Sequence, residues 1–257
     1  MKKRALVLLP LAAALALSGC GGSDTAADKS DSATQPAEQS APAQNTEAAS
    51  PEASAVLTSE QATAIVKKLA GDSEDAIIMD GDTLAASIPQ AQKLIEQMEI
   101  KPKKCAEFVS QQNIGDLSGI NMAAATVPGS NPMQATSYSV AGYEDASKLD
   151  KAKELASSKD LQGCDKFTMS IAGQEVEAGA KILDATSDAD VTYVSTSTVK
   201  MGGQEVPGGS YQIQGIVGSN VIAIGISGDE SESEDKVVKQ LTEEMNKAVA
   251  EVKAAAK

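Results

Sequence analysis

The chain has 257 residues, 22 basic and 36 acidic side chains, a formal charge of −14, and neither histidine nor tryptophan. Without histidine there is no Ser-His or Cys-His nucleophile pair and no imidazole metal site. An acidic surface with only four tyrosines and two phenylalanines is a poor match for nucleic acid. The composition therefore points away from an enzyme, a metal centre and a cofactor site.

Residues Lys2, Lys3 and Arg4 precede an apolar run, Ala5 to Leu17, of 13 residues. That is too short for a permanent membrane helix and fits a cleaved export signal. Leu17-Ser18-Gly19-Cys20 resembles the lipobox of bacterial lipoproteins, which implies cleavage before Cys20 and its diacylation. Cleavage removes three cations and no acid, leaving 19 basic against 36 acidic side chains, or −17. The expected organisation is a signal peptide over 1–19, a lipidated cysteine and tether over 20–56, and a globular domain over 57–257. The tether is Ala, Ser, Thr, Gln and Pro with acids, and buries too little to offset its ordering entropy. As a flexible coil it would hold the domain roughly 30–35 Å from a membrane surface. The expected location is the extracytoplasmic face of the cell membrane, through the lipid on Cys20.

Thr58-Ser59-Glu60-Gln61 has the form of a capping box before a helix with Ala62, Ile65, Val66 and Leu69 on one face and Gly71 as its stop. Asp75 to Met79 reads as a short strand ended by an Asp80-Gly81 turn. A second helix is expected from Ser87, with Pro89 in its first turn. Pro102 ends that run and opens a short helix carrying Cys105, Phe108 and Val109. Extended segments follow at Ile120–Val127 and Gln134–Tyr143, then a helix between Glu144 and Ser158. Strands are expected at Phe167–Ala172, Glu175–Leu183, Val191–Met201, Tyr211–Val217 and Val221–Ile226, the last central in the sheet because it is apolar almost throughout. In Val191–Met201 one face carries Val191, Tyr193, Ser195, Ser197 and Val199. A terminal helix over Ser233–Ala255 has a stripe of Val237, Leu241, Met245, Ala248, Val249 and Val252. This order gives an α+β domain, a largely antiparallel sheet with helices packed on one face. Once Cys20 is acylated, Cys105 and Cys164 are the remaining thiols, and an oxidising compartment favours a single disulfide between them.

The candidate sites are thin. The run Asp229 to Asp235 reads as acid at a helix N-terminus rather than a calcium loop, since the D-x-[DN]-x-[DN]-G spacing is absent. Asp188 with Asp190, and Asp80 with Asp82, are weaker carboxylate pairs of the same kind. Gly202-Gly203 to Gly208-Gly209 is a hairpin connection or a lid over a cleft. The methionines are spread over separate elements, which suits core filling rather than a soft-metal site.

From Cys105 onward the layout resembles the PknH-like extracellular sensor domain family of actinobacteria. The resemblance lies in Lys104-Cys105-Ala106, the strands around Tyr138-Ser139-Val140, the helix from Asp145-Ala146-Ser147 to Leu155 leading into Leu161-Gln162-Gly163-Cys164, the strand Gly218-Ser219-Asn220-Val221-Ile222-Ala223, and the long terminal helix. It implies a single α+β domain with a cleft for an envelope ligand, here in a free-standing lipoprotein, and it assigns no ligand-contacting residue. The expected function is thus a surface lipoprotein that binds or senses an envelope molecule without catalysis. The alternative is an envelope interaction protein with a surface-protein partner and no small ligand.

Overall fold

The computed structural model describes residues 55–96, 98–106, 118–130, 134–171, 174–201, 204–205, 210–227 and 233–257. Cys20, the signal, the tether before residue 55, Phe108, Val109, the glycine pairs of 202–209 and Asp229 to Glu232 lie outside them.

The first helix, α1 (Ser59–Ala70), starts in the expected capping box: Thr58 Oγ1 accepts from the Gln61 N–H at 3.2 Å, and Gln61 Oε1 accepts from the Thr58 N–H at 2.8 Å. Strand β1 (Ile77–Met79) follows. Helix α2 (Gly81–Glu96) begins six residues before the expected Ser87. The Asp80-Gly81 pair is the cause: Asp80 Oδ1 accepts from the Thr83 N–H at 2.9 Å and its carbonyl from the Leu84 N–H, so the aspartate starts a helix instead of closing a turn. Pro89 consequently lies inside the helix. A further strand, β2 (Glu99–Lys101), precedes Pro102, where the helical run was expected to continue to the proline.

The remaining strands are β3 (Ile120–Pro128), β4 (Ala135–Tyr143), β5 (Lys166–Ile171), β6 (Gln174–Leu183), β7 (Val191–Met201), β8 (Gln204–Glu205), β9 (Ser210–Val217) and β10 (Asn220–Ser227). Between β4 and β5 a 3-10 turn (Ala146–Leu149) leads into α3 (Asp150–Ser158), and the chain closes with α4 (Glu234–Ala255). All pairings are antiparallel, in the order β1-β3-β4-β10-β9-β7-β6-β5-β2, with β8 on β7. The fold is the expected α+β arrangement, and β10 is as central as its composition implies.

Residues paired across strands share a face, so the registers sort the sheet into two surfaces. The front carries Ala123, Ala125, Val140, Ile222, Ile224, Ile213 and Val194, covered by Ala62, Ile65 and Val66 of α1 and the full apolar stripe of α4. Farther toward β5 the front is polar, with Glu175, Glu177 and Lys181 of β6 and Lys200 of β7 exposed and Glu177 opposite Lys200. Besides the two terminal helices on the front, a smaller group packs on the back: Leu84 of α2, Leu149 of the 3-10 turn and Ala152 of α3 meet Met122, Ala141, Tyr143, Ile216 and Val221.

The topology gives α2 a particular course. It leaves β1 at one edge of the sheet and delivers the chain to β2 at the other, with Leu84 seated on the back. Its 16 residues reach about 24 Å, while nine flat strands would be roughly 38 Å wide. Sheet twist and curl shorten that crossing. At the far edge Ile100, Phe167 and Met169 surround the disulfide between Cys105 and Cys164.

Buried Asn220 holds the start of the described chain. Its Oδ1 accepts from the Leu57 N–H at 2.9 Å, and its Nδ2 donates to the Ala55 and Val217 carbonyls at 2.9 and 3.3 Å. The Ala55 N–H donates to the Ala256 carbonyl at 3.0 Å, so both ends of the described domain meet at one pole.

Candidate functional site

The acidic pairs singled out in the sequence do structural work. Asp190 Oδ2 accepts from the Gly218 N–H at 2.7 Å and so fastens the β9–β10 turn; Asp80 caps α2. Hydrogen bonds from Thr83 hold the Asp80 carboxyl below the usual range, as Ser147 does for Asp145 at the 3-10 turn. Glu234 and Asp235 sit in the first turn of α4, where the helix dipole favours them. Among the described residues no group of three or more Cys, Asp or Glu could hold a metal ion. Met98 and Met169 pack near the disulfide, Met79 and Met122 in the back cluster and Met245 in the front core, where each fills apolar core. Met133 and the glycine-rich 202–209 connection lie outside the described residues.

What the sheet does assemble is a surface without charge. From the registers, the back face comprises Ile77 and Met79 of β1; even-numbered residues of β2, β3, β6 and β9; and odd-numbered residues of β4, β5, β7 and β10. None of these positions is Asp, Glu, Lys or Arg, in a chain that is 23% charged. The face is graded along the strands. Nearest the pole of Asn220 it is the apolar cluster of Met122, Ala141, Val221 and Ile216. The next row holds Ser139, Ala223, Gln214 and Tyr193, exposed by 8, 3, 4 and 5% respectively. There the Tyr193 hydroxyl donates to Gln214 Oε1.

Beyond it a third row crosses six strands in register: Thr126, Ser137, Gly225, Gln212, Ser195 and Ile182, all half-buried. A fourth follows with Ala135, Ser227, Ser210, Ser197 and Ala180, also half-buried. In that row Ser197 and Ser210 share a 2.7 Å hydrogen bond, and the Ser227 hydroxyl donates to the Ala135 carbonyl at 3.4 Å. Among the described residues the side chains of Thr126, Gln212 and Ser195 in the third row have no hydrogen-bond partner. The face thus runs from an apolar floor, through a buried polar row, to half-buried hydroxyl and amide groups. The sequence showed one strand of it, the Val191–Val199 alternation; the other strands join only through cross-strand register.

Burial raises the Tyr193 phenol pKa well above its ordinary 10. The folded state therefore favours the neutral phenol; its contribution to stability is complete below pH 10 and is lost as pH rises beyond that toward the folded value. Tyr138, half-buried beside Glu244, is displaced in the same direction. In an absorbance titration Tyr193 and Tyr138 should lag the free phenol, and alkaline unfolding should coincide with Tyr193 ionisation. Four tyrosines titrating together near pH 10 with the fold intact would refute this.

The molecule is of the α+β class, an open antiparallel sheet with its terminal helices on one face and, on the other, α2, the 3-10 turn and α3 packed on strand positions that carry no charge. No family model and no curated protein matches the chain. Solved structures similar to it include the extracellular domain of PknH from Mycobacterium tuberculosis, at 13% identity over 77% of this chain and 98% of that one, with a TM-score of 0.46. Another is an uncharacterised Rv0999 ortholog from Mycobacterium smegmatis, at 16% identity over 69% of this chain and 85% of that one, with a TM-score of 0.41. Among the described residues no helix is long and apolar enough to cross a membrane.

Proposed function

We propose that this chain is an exported lipoprotein, anchored through diacylated Cys20, whose extracytoplasmic domain binds an envelope molecule on the back face of its sheet and performs no catalysis. The observation that carries the binding reading is the third row, where half-buried Thr126, Gln212 and Ser195 present side-chain donors and acceptors with no partner among the described residues. Polar groups held without internal partners on a rigid sheet are prepared to pair with something else. The Leu17-Ser18-Gly19-Cys20 pattern and the polar segment after it support the anchored location. The pole where Ala55 enters lies at the opposite end of the strands from the hydrogen-bonding rows, so a tether there leaves those rows facing outward.

Binding is tested by native mass spectrometry of the protein after exposure to envelope extract. A reproducible adduct that leaves on denaturation is expected, and a bare protein mass would count against a small ligand. Anchoring is tested by metabolic labelling with an alkyne fatty acid. Label in the wild type and none in Cys20→Ser is expected, with the variant leaving the membrane fraction; equal labelling of both would remove Cys20 from its assigned role.

A further inference from the structure

We infer that the outer edge of β1 is a docking site for an extended segment of another protein, apolar at its centre and bearing lysine or arginine at its ends, which adds to the sheet as a further strand. This surface is separate from the back-face reading above and does not depend on it.

The sheet ends in two edge strands, and they are built differently. At β2 the single apolar residue, Ile100, turns inward and is 6% exposed. Glu99 and Lys101 on either side of it are exposed and ion-paired at 3.2 Å, and Pro102 follows. A short strand with charged outer side chains and a proline beside it is how proteins keep a sheet edge from recruiting another chain. β1 is equally short but carries no charge, proline or bulge; Ile77, Ile78 and Met79 pair in unbroken register with Thr126, Ala125 and Ala124. Ile77 is 58% exposed, alone among the large apolar side chains of the described residues. On the side away from β3, β1 has no strand partner among the described residues. Backbone donors and acceptors on that side suit a chain that lies down in extended form, and Ile77 supplies an apolar contact for one of its alternate side chains.

The charges around β1 choose the occupant. Asp72, Glu74 and Asp75 precede the strand and Asp80 and Asp82 follow it, all five exposed. Lys67 on α1 offsets part of this charge at Asp80. A second copy of this chain would bring its own acids to the edge: antiparallel pairing about Ile78 sets Glu74 against Asp82, and parallel pairing sets each acid beside its equivalent. Like charges so placed oppose association. The 21–54 segment of the same chain is also unsuited, with one lysine, Lys29, against six acids and no large apolar residue. A strand with cations at both ends and an apolar centre meets the free edge, Ile77 and both acidic flanks at once.

The test is amide NMR of the isotope-labelled full chain, titrated with three nine-residue peptides blocked at both termini. One has a Val-Thr-Val-Thr-Val centre between lysine pairs, and the second has glutamate pairs instead. The third keeps the lysines but has proline for both threonines, so that it cannot pair as a strand. Saturable shifts centred on Ile77–Met79 and their partners Ala124–Thr126 are expected with the first peptide alone. Glu74→Lys with Asp75→Lys, both exposed and outside any helix or strand, should weaken that binding by about tenfold while the spectrum stays dispersed. Equal shifts from the proline peptide would reduce the effect to bulk charge attraction and overturn strand addition. Equal shifts from the glutamate peptide would overturn the choice of a cationic partner. Concentration-dependent shifts at β1 in the protein alone, with a dimer in sedimentation, would give the edge to a second copy and overturn the assignment to another protein. No saturable shift at β1 with the first peptide would overturn the docking site itself, and Gln212 and Ser195 of the back face should stay unmoved throughout.

Discussion

Asn220→Ala should lower the stability of the domain by about 3 kcal/mol, the sum expected for three lost side-chain hydrogen bonds and one buried amide left without a partner. The side chain is fully buried and serves the Leu57 N–H and the Ala55 and Val217 carbonyls. Leu57 is itself fully buried, so its amide cannot turn to water once Oδ1 is gone. Asn220→Asp distinguishes this arrangement from a general intolerance of change. The aspartate keeps an acceptor for Leu57 but directs a second oxygen at two carbonyls, so it should be at least as destabilising near neutrality and recover as the carboxyl is protonated. Gly142→Ala tests the same clamp from the other side, since its Cβ would come within 2.6 Å of the Leu57 carbonyl and 2.8 Å of its nitrogen. Chemical denaturation of the three variants measures the effect. A loss below about 0.5 kcal/mol in Asn220→Ala would mean that the N-terminal segment is held by α1 packing alone.

That clamp marks the limit of what the sequence disclosed. Helix termini were legible where the signal is local: Thr58 and Gln61 satisfy each other within one turn, and the α4 stripe needs only its 3.6-residue period. The strand periods of β3, β4, β7, β9 and β10 were legible for the same reason. Asp80-Gly81 was misread because an aspartate before glycine serves a turn or a helix start equally well, and which one follows depends on Thr83 accepting the capping geometry. Strand β2 has three residues and no alternation of its own to detect; pairing with β5 defines it. The candidate site was the least legible feature. Thr126, Ser137, Gln212 and Ser195 are unremarkable in their own segments, and their alignment exists only after four registers are fixed.

Removing the disulfide, by Cys105→Ala with Cys164→Ala, should cost about 4 kcal/mol for a closed loop of this size in the chain-entropy model. The bridge spans a sequence separation of 59 residues and joins the segment after β2 to the connection between α3 and β5. For a domain of about 200 residues that loss corresponds to a fall in Tm on the order of 8–16 °C. The loss should be unevenly distributed. β2 is a three-residue edge strand paired only with β5, and its single fully inward residue, Ile100, packs with the two cysteines, Phe167 and Met169. Without the bridge this end lacks the covalent tie to β5 and should open well below the global transition. Amide exchange at residues 99–101 should therefore accelerate far more than exchange in β10, which is paired on both sides and buried under α4. With Cys105 and Cys164 exposed by 0 and 1%, a reductant acting on the native protein should be slow and limited by that same opening. An unchanged Tm in the double variant would show that the back-edge cluster holds β2 unaided. Uniform acceleration across β2 and β10 would show instead that the edge and centre of the sheet unfold as one unit.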